Sequence, residues 1–193
     1  PSRPPNRSWP STRARAAQAC ASQKSCNIMK INELVSILVP VYNIEKNIEK
    51  NINILIEKIS PFIINFEIII SDDGSEDNSK EAIKKICEKN KNVFGVYSKE
   101  NHGKGNALKR ACEIANGKYI IFCDGDMEIE PSQLENFFEI MNKENADIVI
   151  GSKRHKDSVV NYSNIRKIIS FVYFMFVKIF FHLPIQDTQT GLK

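Results

Sequence analysis

At 193 residues, 42% hydrophobic and 26% charged, the chain can bury one full core, and one principal domain is expected. Its formal net charge of +4 does not mark a nucleic-acid binder: Arg3, Arg7, Arg13, Arg15 and Lys24 fall in an acid-free stretch of the first 28 residues and exceed the whole surplus. Five cysteines without a C-x-x-C spacing make neither a zinc site nor an evident disulfide framework, and favour a reducing compartment.

Residues 1–28, rich in Pro, Ser, Arg and Ala, change abruptly at Met29 into a body dominated by Ile, Lys, Asn and Glu. The first part lacks the periodicity needed to bury anything and is expected to be disordered. An Arg- and Ser-rich, acid-free stretch can be a transit peptide. The chain does not begin with Met, however, and Met29 directly precedes the first patterned segment, which favours a non-native or read-through leader.

From Leu34 apolar runs alternate with amphipathic ones, the signature of an α/β fold with a parallel sheet built from βαβ units. Strands are predicted over 34–41, 66–71, 93–97, 119–123 and 147–150. Between the first two, Ile48, Ile52, Leu55 and Ile59 recur at helical spacing, and Pro61 closes the helix. Asp77 can cap a second helix whose Ala82, Ile83 and Ile86 face inward. A third should follow Gly105, and Pro131 suits the first turn of a fourth. Cys123, within a predicted strand, reads as a small core residue.

Residues 165–183 read as an apolar, aromatic helix with Arg166 and Lys167 at its start. It falls short of the ~20 residues that a spanning helix needs, and fits either an interfacial position at headgroup level or packing on the core. From Lys153 onward the chain is basic, whereas residues 29–152 are net acidic. That contrast suggests a metal and nucleotide region joined to a surface for phosphate or anionic membrane.

Parallel strands bring the loops at their carboxyl ends to one sheet edge, and four such loops carry polar clusters. Pro40-Val41-Tyr42-Asn43 offers an aromatic ring that could lie against a nucleobase, and Ser71-Asp72-Asp73-Gly74-Ser75 offers acceptors for a base N–H or a ribose hydroxyl. Asn101-His102-Gly103-Lys104-Gly105 opens a helix with glycines that let backbone N–H groups approach an anion, at a spacing that excludes a Walker A loop. Asp124-Gly125-Asp126-Met127-Glu128 supplies hard oxygen ligands for Mg²⁺ or Mn²⁺, with positions left for diphosphate oxygens. No glycine stands sixth from Asp124, which excludes a calcium loop.

These four loops, with Gly151-Ser152-Lys153 and Asp187-Thr188-Gln189-Thr190-Gly191, occur in the order seen in family 2 glycosyltransferases. Over residues 34–193 the chain resembles the polyprenyl-phosphate branch, that of the dolichyl-phosphate mannosyl- and glucosyltransferases. The resemblance implies a GT-A-like fold, a mainly parallel twisted sheet flanked by helices, and residues 29–193 as one such domain truncated at its C-terminal end. It also implies an inverting transfer from a nucleotide-diphosphate sugar, on the cytoplasmic face of a membrane.

Carried over residue by residue, Pro40, Tyr42, Asp72, Asp73 and Lys104 would form the nucleotide site, and Asp124 would sit beside the sugar and ribose. Asp124, Asp126 and Glu128 form the expected metal set. Lys153, Arg154, Arg166 and Ser170 would address the acceptor phosphate, the last two lying four apart on one helix face. Asp187 is a candidate for orienting substrate. Relatives commonly carry Gln in place of Glu128, and Glu in place of Ile44, a departure that removes one polar contact near the nucleotide. The 187–191 motif looks closer to the glucosyl branch, favouring UDP-glucose over GDP-mannose.

An ionised lipid phosphate needs no strong general base, so His102, His155 and His182 are not assigned as catalytic. Two other readings stand beside this one. A saccharide acceptor would require a carboxylate base, for which Asp187 is available, and a silent nucleotide-binding scaffold would not need the acids at 124, 126 and 128.

Overall fold

The computed structural model describes residues 16–18, 30–127 and 131–151. In chain order its elements are β1 (Ala16–Gln18), β2 (Val35–Val41), α1 (Ile48–Ile59), β3 (Phe66–Asp72), α2 (Ser79–Lys89) and β4 (Val93–Tyr97). There follow α3 (Lys104–Ile114), β5 (Tyr119–Phe122), a 3₁₀ turn (Pro131–Gln133), α4 (Leu134–Glu144) and β6 (Ile148–Ile150). The four central strands pair in parallel in the order β4-β3-β2-β5.

β2 is buried along its length except at the partly exposed Pro40, because a parallel strand inside such a sheet is covered on both faces. Val35, Ile37, Val39 and Val41 turn one way, into a core shared with α1, α2 and α4. Leu38 turns the other way, to Ile69 and to Ala111 of α3. The helical spacing of Ile48, Ile52, Leu55 and Ile59 places all four at 0% exposure, each worth about 2 kcal/mol of apolar burial. Ala107 and Ala111 are also fully buried, and their small side chains let α3 lie close on the second face. Phe138 of α4 meets Tyr119 edge to face, 5.4 Å between centroids.

At the amino edge of the sheet, Glu67 accepts the Ser36 hydroxyl at 2.5 Å and the Asn116 amide at 2.6 Å. The Ser36 hydroxyl in turn accepts the Gly117 amide at 2.7 Å. A Cβ on Gly117 would stand 2.5 Å from the Ser36 nitrogen, so only glycine lets this turn close on β2.

Three details differ from the sequence expectation. β1 lies within the segment expected to be disordered, yet pairs in parallel with β6, Ala16 opposite Ile148. Strand pairing draws on backbone N–H and C=O groups and needs no hydrophobic period. α2 has Asn78, not Asp77, at its N-cap position. Asp77 still serves the helix start, accepting the Ser79 amide at 3.0 Å and, across the loop, the Glu45 amide at 3.1 Å. α3 begins at Lys104, before Gly105 instead of after it.

Candidate active site

From β2 the chain steps outward through β3 to β4, then crosses the opposite face as α3 and returns as β5 on the other side of β2. The direction of winding therefore reverses between β2 and β5, where open α/β sheets form a crevice at their carboxyl ends. A cleft of about 380 Å³ lies there. It is lined by Pro40 and Tyr42 after β2, Asp73 after β3, Asn101, Gly103 and Lys104 at the start of α3, and Asp124 and Asp126 after β5.

The loop after β2 is laced to the loop after β3. Asn43, at φ +52°, donates its amide to the Ser75 hydroxyl at 2.9 Å, and its side-chain oxygen accepts the Glu76 amide at 2.9 Å. The Ile44 amide reaches the Ser79 hydroxyl at 2.9 Å. Asp77 is held below its ordinary carboxyl range: burial would raise it, but bonds from Ser79 and the Glu45 amide prevail. Beside this fixed backbone Tyr42 keeps 44% of its surface exposed, an aromatic face open at the lip of the cleft.

Asp73 is buried, 3% exposed, and fully engaged. One carboxylate oxygen accepts the His102 amide at 3.1 Å and the Gly103 amide at 2.6 Å; the other meets Arg110 Nη2 at 2.6 Å. Burial alone would raise its pKa, but the Arg110 bond and the two amides outweigh that and hold it below the ordinary value. Gly74 follows at φ +74°, where a Cβ would stand 2.5 Å from the Glu100 carbonyl carbon. Glycine is thus required for the third loop to dock here.

The carboxylates after β5 sit on a tight turn, closed by the Met127 amide on the Asp124 carbonyl at 3.1 Å. Asn51 of α1 donates to the Gly125 carbonyl at 2.7 Å, and a Cβ on Gly125 would come within 2.9 Å of Val41. Asp124 Oδ1 lies 2.5 Å from Lys104 Nζ, both side chains being partly exposed. Burial first, then the Asp124 and Asp126 charges, push the Cys123 thiol up to about 12. It lies one residue past β5 and is buried, the small core residue that the sequence suggested.

Asp124 and Asp126 face one cleft with hard oxygen donors, and the adjoining α3 start carries no acid in its first turn. Among the described residues no group of three His, Cys, Asp or Glu forms a cage. This donor set fits a hard divalent cation that takes one or two carboxylates and completes its shell with substrate phosphate and water.

Of the residues expected at the site, Pro40, Tyr42, Asp73, Lys104, Asp124 and Asp126 are brought together. Asp72 is not among the lining residues: it is 1% exposed, and its carboxylate receives only long contacts, 3.3 and 3.4 Å, from the Ser75 amide. Successive strand residues point to opposite faces, so neighbours in sequence part company here. Glu128, Lys153, Arg154, Arg166, Ser170 and Asp187, with the 165–183 helix, lie outside the described residues. Sequence reasoning passed over Arg110 and Asn51. The signal for Arg110 was a cation one helical turn from Ala107 and next to Ala111, on the small-residue face that packs on the sheet.

Residues 36–190 match the family described as glycosyl transferase family 2. The dolichyl-phosphate beta-glucosyltransferase of Dictyostelium discoideum is 33% identical over 175 residues, 84% of this chain and 54% of that protein. The glycosyltransferase AglD of Haloferax volcanii is 28% identical over 161 residues, 82% of this chain and 26% of that protein. The chain thus spans about a quarter to a half of the length of these curated relatives. Among solved structures, the mannosyltransferase PcManGT from Pyrobaculum calidifontis, in complex with GDP-Man and Mn²⁺, aligns at a TM-score of 0.51 and 24% identity. That alignment covers 57% of this chain and 33% of the other, and shows the shared fold, the expected GT-A-like sheet with flanking helices.

Proposed function

The chain belongs to glycosyl transferase family 2, and from this and its cleft we propose that it moves a hexose from a nucleotide-diphosphate sugar to a polyprenyl or dolichyl phosphate. The observation that carries the reading is the meeting of Asp124, Asp126, Lys104 and Tyr42 around one crevice. UDP-glucose is the preferred donor and GDP-mannose the next. The relatives that bear on the acceptor are the dolichyl-phosphate beta-glucosyltransferases of D. discoideum and Saccharomyces cerevisiae, at 33% and 31% identity.

In this reading Pro40 and Tyr42 receive the nucleoside, the exposed ring stacking on the base. Asp73 acts one step back, since its oxygens already hold the His102 and Gly103 amides and Arg110. Lys104, at the amino end of α3, faces the diphosphate with the helix dipole behind it. Asp124 orients ribose and sugar; Asp124, Asp126 and Glu128 would hold Mg²⁺ or Mn²⁺. When bound, that cation supplies charge neutralisation for the departing diphosphate.

Lys153, Arg154, Arg166 and Ser170 would bind the acceptor phosphate, and Asp187 would orient substrate. The acceptor phosphate is ionised near neutral pH, so the protein's task is in-line positioning, with no strong base required. The basic segment suits an anionic membrane surface; among the described residues no helix is long and apolar enough to cross a membrane.

The test is transfer of radiolabelled hexose from UDP-glucose and from GDP-mannose into organic-extractable product, with and without dolichyl phosphate and Mn²⁺. Product that requires the lipid phosphate supports the reading. Transfer to a soluble saccharide without lipid, or no transfer from either donor, overturns it.

A further inference from the structure

Arg110 stands two helical turns into α3, away from the loops that carry the family's motifs, yet its guanidinium is directed at Asp73 with Nη2 2.6 Å from Oδ1. Its side chain is 23% exposed, and its Nε is buried with no hydrogen-bond partner among the described residues. An orphaned donor on a charged group is costly, and a mostly buried ion pair is weak ground for stability by itself. The arrangement calls for a role in geometry.

The geometry lies in what Asp73 does with its other oxygen. Oδ2 takes the amides of His102 and Gly103 together, so the rotation of the carboxylate sets the path of the chain into α3. Gly103 there adopts φ +87°, and the next residue, Lys104, reaches Asp124 across the cleft. A carboxylate held by the two amides alone could turn about its Cβ–Cγ bond. A cation on Oδ1 fixes that turn.

We propose that Arg110 is a positioning residue for donor recognition, acting through Asp73 to hold the 102–104 segment against the cleft. Arg110 touches no substrate. Only one of its N–H groups is used on Asp73, so a lysine ammonium at the same place can replace it, whereas an uncharged side chain of similar length cannot. The inference rests on the donor-site reading above.

The experiment compares the wild-type chain with R110M and R110K in three measurements: binding of UDP and GDP with Mn²⁺ by calorimetry, amide exchange at His102, Gly103 and Gly117, and steady-state kinetics. R110M is expected to weaken the nucleotide that the wild type binds by about tenfold, raising donor KM while kcat changes less than about twofold. Exchange should quicken at His102 and Gly103 but not at Gly117, which lies past the far end of α3 and reports general loosening. R110K should return affinity to within about twofold of wild type.

Equal nucleotide affinity in wild type and R110M, or quickened exchange at all three amides without rescue by R110K, overturns the inference and leaves the donor reading intact. A wild-type chain that binds neither nucleotide removes both.

Discussion

Glu67 in strand β3 and Asp73 directly after it are buried carboxylates, and each grips one end of α3. At the amino edge Glu67 takes the Asn116 amide, just beyond the helix; at the carboxyl edge Asp73 takes the His102 and Gly103 amides, just before it. The first is surrounded by neutral donors and sealed by the Gly117 turn on Ser36. The second is matched by the Arg110 cation and borders an open cleft. One device thus closes a sealed turn at one edge and lines an open cleft at the other. The difference arises because the reversal of strand order opens a crevice only at the carboxyl ends, where the loops and the α3 amino terminus converge.

The contrast is sharpest in activity. Asp126→Ala should lower hexose transfer by about a hundredfold or more, the loss expected when diphosphate charge goes unneutralised, while the thermal midpoint stays near that of wild type. Glu67→Ala should do the reverse, costing about 2–4 kcal/mol because the Ser36 hydroxyl and the Asn116 amide lose their acceptor. Turnover per folded molecule should be kept. Urea unfolding beside the transfer assay reads both, and a Glu67→Ala protein that is stable but inactive would erase the distinction between the edges.

Gly74→Ala should come next, at about 2 kcal/mol, because φ +74° and the 2.5 Å approach to Glu100 leave no room for a methyl group. Donor affinity should fall with stability, since the loop displaced lines the cleft.

Acid gives a smaller effect. Asp73 is held below its ordinary 3.8, so its contribution to stability is whole above about pH 4 and is lost as pH falls through the folded value. Asp73→Asn should flatten the acid limb of a urea-midpoint profile; an unchanged limb would show that the carboxylate is not held as described.

Lys104→Met should change stability least, by under about 1 kcal/mol, as expected for a pair with both partners partly exposed. Removing that positive charge should tighten Mn²⁺ in the absence of nucleotide and weaken UDP or GDP in its presence, which calorimetry resolves.

The strands and the helix faces were legible because burial leaves a local period. β2 and β3 are near-continuous apolar runs, and Ile48 to Ile59 repeat at helical spacing. Residues that line the cleft were legible too, where a polar cluster follows such a run, as in Tyr42, Lys104, Asp124 and Asp126. The parting of Asp72 from Asp73 was not, because the strand continues two residues past its apolar run, through Asp72, and sends the two carboxylates to opposite faces. Nor was the pairing of β1, which rests on backbone groups that every sequence possesses.

By itself the sequence determined the α/β class, the parallel strands and the short list of chemistry-bearing side chains, since each follows from periodicity and from residue types within a few positions of one another. Only the tertiary structure decided which of them meet: that Asp73 serves the backbone of a loop 29 residues away, that Arg110 pairs with it, and that Asn51 holds the turn at Gly125 from 74 residues away. Such contacts depend on how strands are ordered and how closely helices lie on them, which is a property of the packed whole and leaves no local pattern in the chain.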